Sequence, residues 1–302
     1  MRIIYVCEDS LTGIFSGIYE VWKRKMTAEE AGLEVGDSFE RRLFCEYIFC
    51  KAEERKALAV IRMIQKNLGV DVYEKISYAL LSADRRKAEM VFRAMLEAKK
   101  LSRKDRLMEH LGNEAVRAVF GMYRQVANEA HHYKGFVRFR ELKNKTLFAK
   151  IEPKHAVLPC IAEHFADRFP QENWVIYDEN HKRAAVHPAG RSWFLVNHPL
   201  EPEQENSDQG WSHWLKERTD EETYEDMWRM FCDTIAIRER HNPVCQRTHL
   251  PLRFRPYMTE FQKQMGQKAQ WSRRRHVMEN MYGKHVWKTR MKNTNGKHRK
   301  HS

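Results

Sequence analysis

The six cysteines (Cys7, Cys45, Cys50, Cys160, Cys232, Cys245) are scattered over 302 residues without one C-x-x-C pair. That spacing argues against a zinc or iron–sulfur centre built from this chain alone. No apolar run approaches about 18 residues, the length at which a segment reads as a membrane span. The start Met1-Arg-Ile-Ile-Tyr5 is too short an apolar run for a signal peptide. The chain is therefore expected in the cytoplasm, with reduced thiols and no membrane partner. A Walker loop, a nucleophile elbow and a dinucleotide fingerprint are also missing, as is the three-cysteine cluster of a radical enzyme. No cofactor is expected, and the sequence leaves open whether the chain is an enzyme.

Acidic residues are scarce in one place above all. From Gln270 to Ser302 there are ten Lys/Arg and one acid, Glu279. The segment Asn197 to Asp226 is the reverse, with two Lys/Arg and ten acids. The net charge of +13 favours an anionic partner such as nucleic acid, with the C-terminal stretch as the strongest electrostatic feature. A hydrophobic fraction of 42% and eight tryptophans suffice for a substantial core.

Periodicity predicts an α+β fold, mainly helical, with a small, mostly antiparallel sheet packed against a long central helix. Ile3–Cys7 reads as a strand, and Ser10 as the cap of a helix over 10–25. Leu43–Cys50, apolar on both faces, reads as a strand inside a sheet. Three helices follow, around 58–68, 72–81 and 91–96, with Gly69 a C-terminal cap. The organising stretch is 113–152. It reads as an amphipathic helix stopping at Gly135 and feeding a hairpin, Phe136–Leu142 and Leu147–Ile151, that turns at Asn144-Lys145. A helix over Pro153–Arg168, an antiparallel meander near 174–177, 184–186 and 193–196, and a helix with Tyr224, Met227, Trp228, Phe231, Ile235 and Ile237 apolar complete the pattern. One domain is expected over 1–261, with a helical subdomain at about 52–112 and a helix–hairpin–helix–meander part at about 113–197. An acidic loop is expected at 197–219 and a basic, disordered tail at 266–302.

Polar chemistry gathers at the end of the organising helix. Strand alternation places Phe136, Arg138 and Arg140 on one face, where arginines grip phosphate and an aromatic ring stacks on a base. Lys134 extends that set. The alternative pairs Arg138 with Glu129 or Asp167 as a buttress. Glu129 and His131 are candidate acid–base or catalytic groups. His132, His155 and His164 lie near them in sequence, and Glu129 with His132 has the Glu-x-x-His spacing of carboxylate metal sites; no metal is expected. Histidines ending a helix also simply suit its dipole. His164, Asp167, Arg168 and Asn242 read as structural polar groups, with Arg168 in a buried carboxylate pair. Arg253 and the tail residues Arg273, Arg274 and Arg275 are further candidates for nucleic-acid contact.

Four stretches carry a resemblance. They are Cys7-Glu-Asp-Ser-Leu-Thr-Gly-Ile-Phe15, Asn128-Glu-Ala-His-His-Tyr-Lys-Gly-Phe-Val-Arg-Phe139, His164-Phe-Ala-Asp-Arg-Phe169 with Trp174, and Ala236-Ile-Arg-Glu-Arg-His-Asn-Pro-Val-Cys-Gln246 with Pro251 and Arg253. Together they resemble the bacterial family labelled probable DNA metabolism protein, a domain of unknown function, over residues 1 to 261. Genes of that family typically lie beside one for a radical S-adenosylmethionine DNA modification protein. The domain also occurs fused to a uracil-DNA-glycosylase-like domain. The resemblance thus implies a DNA-binding accessory protein in repair or modification, with DNA, the radical enzyme and a uracil-DNA-glycosylase-like protein as partners. A DNA-processing enzyme with its own Glu/His site and a protein-interaction scaffold are the alternatives. The sequence after Phe261 lies outside the resemblance, and Leu96–Arg103 departs from the glycine-containing apolar sequence of relatives.

Overall fold

The computed structural model describes residues 2–36, 41–142, 144–197, 221–235 and 242–261. The acidic 198–220 segment and the basic stretch with Arg273, Arg274 and Arg275 lie outside them. The chain divides into two compact units, Met1–His241 and Asn242–Ser302, and the division falls inside the expected 1–261 domain.

The first unit begins with β1 (Arg2–Cys7), α1 (Leu11–Lys23), β2 (Ala31–Val35) and β3 (Cys45–Cys50). The three strands form a parallel sheet in the order β2-β1-β3. Ile4, Tyr5, Val6 and Cys7 are all buried, as a strand flanked on both sides requires. The segment that reads as an interior strand, β3, is instead an edge, and Phe49 on it is 64% exposed. Apolar residues on both faces of a short strand thus misreport its neighbours. Ser10 caps α1 by accepting from the Gly13 amide at 2.9 Å. The helix lies very close to the sheet at Gly17, where an added Cβ would come within 2.2 Å of Cys7 Sγ and 2.9 Å of Leu33 Cδ2.

Helices α2 (Glu54–Leu68), α3 (Val70–Leu80), α4 (Lys87–Ala98) and α5 (Glu114–Phe136) follow, with a 3-10 segment at Lys104–Glu109 before α5. Gly69, at φ +93°, separates α2 from α3 in a conformation that favours glycine. Ile64, Ile76, Phe92, Val116 and Val119 are among the fully buried residues that join this layer to α1 and the first sheet in one core. Burying each such side chain contributes about 1.5–3 kcal/mol. Glu89 ties α4 to the sheet, accepting from Arg2 Nη2 at 2.7 Å through one oxygen and from the Leu33 amide at 2.9 Å through the other.

The remaining strands make a second, mixed sheet in the order β4-β5-β6-β7-β8, from β4 (Arg140–Glu141), β5 (Leu147–Ile151), β6 (Trp174–Asp178), β7 (Arg183–His187) and β8 (Phe194–Asn197). Helix α6 (Leu158–Arg168) makes the crossover between β5 and β6, which are parallel, and the other pairings are antiparallel. Two residues of hairpin stand where seven are expected in the first strand. Helix α5 runs one residue past Gly135, and Phe139 turns inward against Phe165 and Phe169 at ring distances of 5.3 and 5.7 Å. Lys145, at φ +61°, does form the hairpin turn. Helix α6 starts five residues later than its pattern suggests, because residues 153–157 are held in a turn described below. Helix α7 (Glu221–Ile235) ends the described part of this unit, and α8 (Pro243–His249) with two 3-10 turns makes up the described part of the second.

The close approach at Gly17 has a measurable consequence. Gly17→Ala forces α1 off Cys7 and should destabilise the protein by about 1–3 kcal/mol, as overpacking does. Urea denaturation followed by circular dichroism checks this, and an unchanged midpoint would refute the tight packing.

Candidate functional site

Helix α5 starts on Asn113, whose Oδ1 accepts from the amides of Ala115 and Val116 at 2.9 and 3.2 Å. Twenty-three residues later its last turn delivers the polar cluster that the sequence singles out. Helical geometry then separates the members of that cluster. Glu129 and His131, two residues apart, fall on opposite sides of the helix. Glu129 is 2% exposed and His131 is exposed.

The Glu129 carboxylate spans the turn before α6. Oε1 accepts from the Lys154 amide at 3.1 Å and Oε2 from the His155 amide at 2.8 Å. His155 is itself buried, and its Nδ1 accepts from the Ala83 amide at 3.1 Å. In the neutral ring that leaves the proton on Nε2. The Ala156 amide donates to the Leu81 carbonyl at 3.0 Å, and Asn180 Nδ2 donates to the Pro153 carbonyl at 2.9 Å. Four elements therefore meet at residues 153–156. Both oxygens of Glu129 are engaged with backbone amides, and His131 faces away from them. Among the described residues no group of three or more His, Cys, Asp or Glu is placed to hold a metal ion.

The candidate phosphate-gripping residues also part company. Arg138 turns back on its own helix, donating through Nη1 to the carbonyls of Gly135 and Val137 at 3.0 and 3.2 Å. That is a C-terminal cap. Arg140 pairs with Glu225 of α7 at 2.8 Å, and Glu225 also binds Arg229 at 2.8 Å. Phe136 closes α5 with its ring stacked on His132, centroids 5.7 Å apart and 11° from parallel. The strand face expected to present Phe136, Arg138 and Arg140 together does not form, since only Arg140 lies in a strand.

Lys134 remains exposed, without an ion-pair partner among the described residues. Arg168 differs from its expected place. It is exposed, as is Asp167, and its guanidinium lies over the Phe169 ring at 5.8 Å. No buried pair forms, because Ile161, Ala162 and Phe165 occupy the inward face of α6 and leave 167 and 168 outside. His164, one helical turn before Arg168, is half-buried with its ring edge-on to Phe165 at 5.1 Å. Burial, then the positive charges of Lys134 and Arg168, lower its pKa against the opposing charge of Asp167. Lys134 and Arg168, from two helices, thus lie near enough to His164 to act on its charge, with Asp167 opposing them.

In the second unit Asn242 caps α8, accepting from the amides of Val244 and Cys245 at 3.2 and 3.0 Å. Arg253 lies over Phe254 at 4.8 Å. Sequence reasoning missed Glu225 as the partner of Arg140, because no local pattern joins the hairpin to a helix so far along the chain.

The family model for a domain of unknown function (DUF4130) matches residues 85–260. That range begins just before α4 and takes in α5, the second sheet and α8. No curated protein matches the chain.

Glu129→Gln keeps the shape of the side chain but replaces one acceptor oxygen by a donor facing a backbone N–H. It should cost about 1–3 kcal/mol, the scale of one buried donor left unsatisfied. Thermal and urea unfolding check this. A variant as stable as the parent would show that the carboxylate does not hold the turn.

Proposed function

We propose a DNA-binding accessory role for this chain, which belongs to the family of the domain of unknown function DUF4130. The observation that carries the reading is the convergence of Lys134 and Arg168 on His164, exposed cations at the end of two packed helices. Phosphate is the anion such a surface suits, since Lys supplies a point charge and Arg a planar fork. The net charge of +13 supports the same reading. Arg138 and Arg140 contribute less than their sequence positions suggest, because their side chains hold a helix end and α7. Arg253, Arg273, Arg274 and Arg275 add further phosphate contacts in this reading. The resemblance in the first 261 residues supports a place in DNA repair or modification, beside a radical S-adenosylmethionine enzyme that performs the chemistry.

Each phosphate neutralised releases counterions and adds about 0.9 to the log–log salt slope for duplex DNA. A Lys134→Ala/Arg168→Ala double variant should bind more weakly, with a slope smaller by about 1.8. Fluorescence anisotropy with duplex DNA over a salt series measures both. Unchanged affinity and slope would remove this surface from the interface.

His164 supplies an independent check. In the free protein its pKa is lowered, so protonation favours the unfolded chain. Its contribution to stability is full above about pH 6.5, the ordinary value of the unfolded group, and is lost as pH falls through the folded value. A bound phosphate offsets Lys134 and Arg168 and raises the His164 pKa. Binding should then take up a proton, and affinity should rise as pH drops from about 7.5 to 5.5. The increment attributable to His164 should vanish in His164→Gln. A nuclear magnetic resonance titration in which the His164 pKa stays put on adding DNA would contradict this.

A further inference from the structure

The expectation of reduced, scattered thiols misses what the first sheet does with two of them. Cys7 and Cys50, forty-three residues apart in sequence, are Cα partners at the end of the β1–β3 register. Partners across parallel strands point to the same face, and the strands lie about 4.8 Å apart. That separation is within the Cα spacing of about 4.4–6.8 Å that a disulfide accepts. The Cys7 thiol donates to the Tyr5 carbonyl at 3.8 Å, and each thiol shifts the pKa of the other. Their surroundings are unequal. Cys7 is 1% exposed beneath Gly17 of α1. Cys50 is half-buried and lines a cleft of about 250 Å³ with Tyr5, Glu20, Arg24, Ile48 and Lys56.

We propose that Cys7 and Cys50 form a two-thiol oxidation site, with Cys50 the attacked sulfur, Cys7 the resolving one, and a small hydroperoxide as co-substrate. The cleft admits a small oxidant to Cys50 and leaves Cys7 reachable only through its partner. The neighbouring Cys7 thiol, then Lys56 and Arg24, lower the Cys50 pKa against burial and Glu20. The Cys7 thiol is held well above its usual range, first by the neighbouring Cys50 and then by burial. The unequal access of the two sulfurs assigns the roles, and the direction of the two shifts agrees, since the thiolate is the nucleophilic form.

In the first step the Cys50 thiolate attacks the hydroperoxide, an S–O bond forms and the O–O bond breaks. The leaving oxygen takes a proton from water and departs as an alcohol or as water, and Cys50 is left as a sulfenic acid. In the second step Cys7 sulfur attacks Cys50 sulfur. The S–S bond forms, the S–O bond breaks, and the hydroxyl leaves as water with the Cys7 proton. Two electrons pass from the thiol pair to the peroxide. A dithiol reductant returns both cysteines by exchange.

Four other cysteines serve as internal references. Cys160 is buried, and burial pushes its thiol up to about 12. Cys45 and Cys232 are half-buried, and Cys245 is exposed. The full chain, reduced and then treated with limiting hydrogen peroxide, is labelled with dimedone and a thiol reagent and read by peptide mass spectrometry. The expected product is a Cys7–Cys50 disulfide that forms before any modification of Cys45, Cys232 or Cys245. In Cys7→Ala, dimedone should accumulate on Cys50 several-fold faster than on Cys245. In Cys50→Ala, no disulfide should form and Cys7 should stay reduced, which keeps the test decisive if Cys7→Ala fails to fold. Oxidation of Cys50 no faster than Cys245, or loss of Cys50 to sulfinic acid without a disulfide in the parent, would overturn the proposal.

Discussion

A single buried carboxylate holds the two halves of the first unit in register. Glu129 stands on α5, the helix that closes the helical layer, and both its oxygens accept amides from the turn that launches α6. A carboxylate almost closed off from water needs such donors, and leaving it without them would cost far more than the bonds contribute. The same turn is bonded to the α3–α4 junction through Leu81 and Ala83 and to the second sheet through Asn180. The crossover between β5 and β6 is thus pinned where it leaves the sheet. Everything placed by α6, including His164 and Arg168, inherits its position from that anchor.

The cationic surface is in this sense a by-product of packing. Phe165 and Phe169 of the α6 region point inward to Phe139, so the residues between and beside them must point outward. Lys134 reaches the same surface because α5 continues through Phe136. The arginines nearer the hairpin are drawn instead into carbonyls and into Glu225. Charge density along the sequence therefore overstates how many of the hairpin arginines face outward together.

Much of the fold was legible because it rests on local signals. Ser10, Asn113, Gly69 and the Asn144-Lys145 turn mark element ends through their own backbone chemistry, and each lies where its residue type suggests. The meander after Trp174 follows from alternation and turn residues. The illegible parts depend on distant partners. β2 carries only Ala31-Gly-Leu-Glu-Val35 and is a strand because β1 lies beside it. β3 looks interior but is an edge strand among the described residues. Glu129 reads as catalytic because an acid beside two histidines suggests chemistry, while no side-chain pattern reveals that both its oxygens accept from backbone amides. Cys7 and Cys50 become a pair only through a register between strands that are far apart in sequence.

That register also bears on how the protein acquires its shape. The central strand of the first sheet pairs on both sides with parallel neighbours, so no two of its strands can zip together from a tight turn. Ile3 must find Ala31, and Arg2 must find Cys45, each across a long stretch of intervening chain. The entropy of closing those loops is lost before any pairing returns it. Assembly of the N-terminal layer is therefore paced by loop closure around β1, while helices α2 to α5 form from contacts much nearer in sequence.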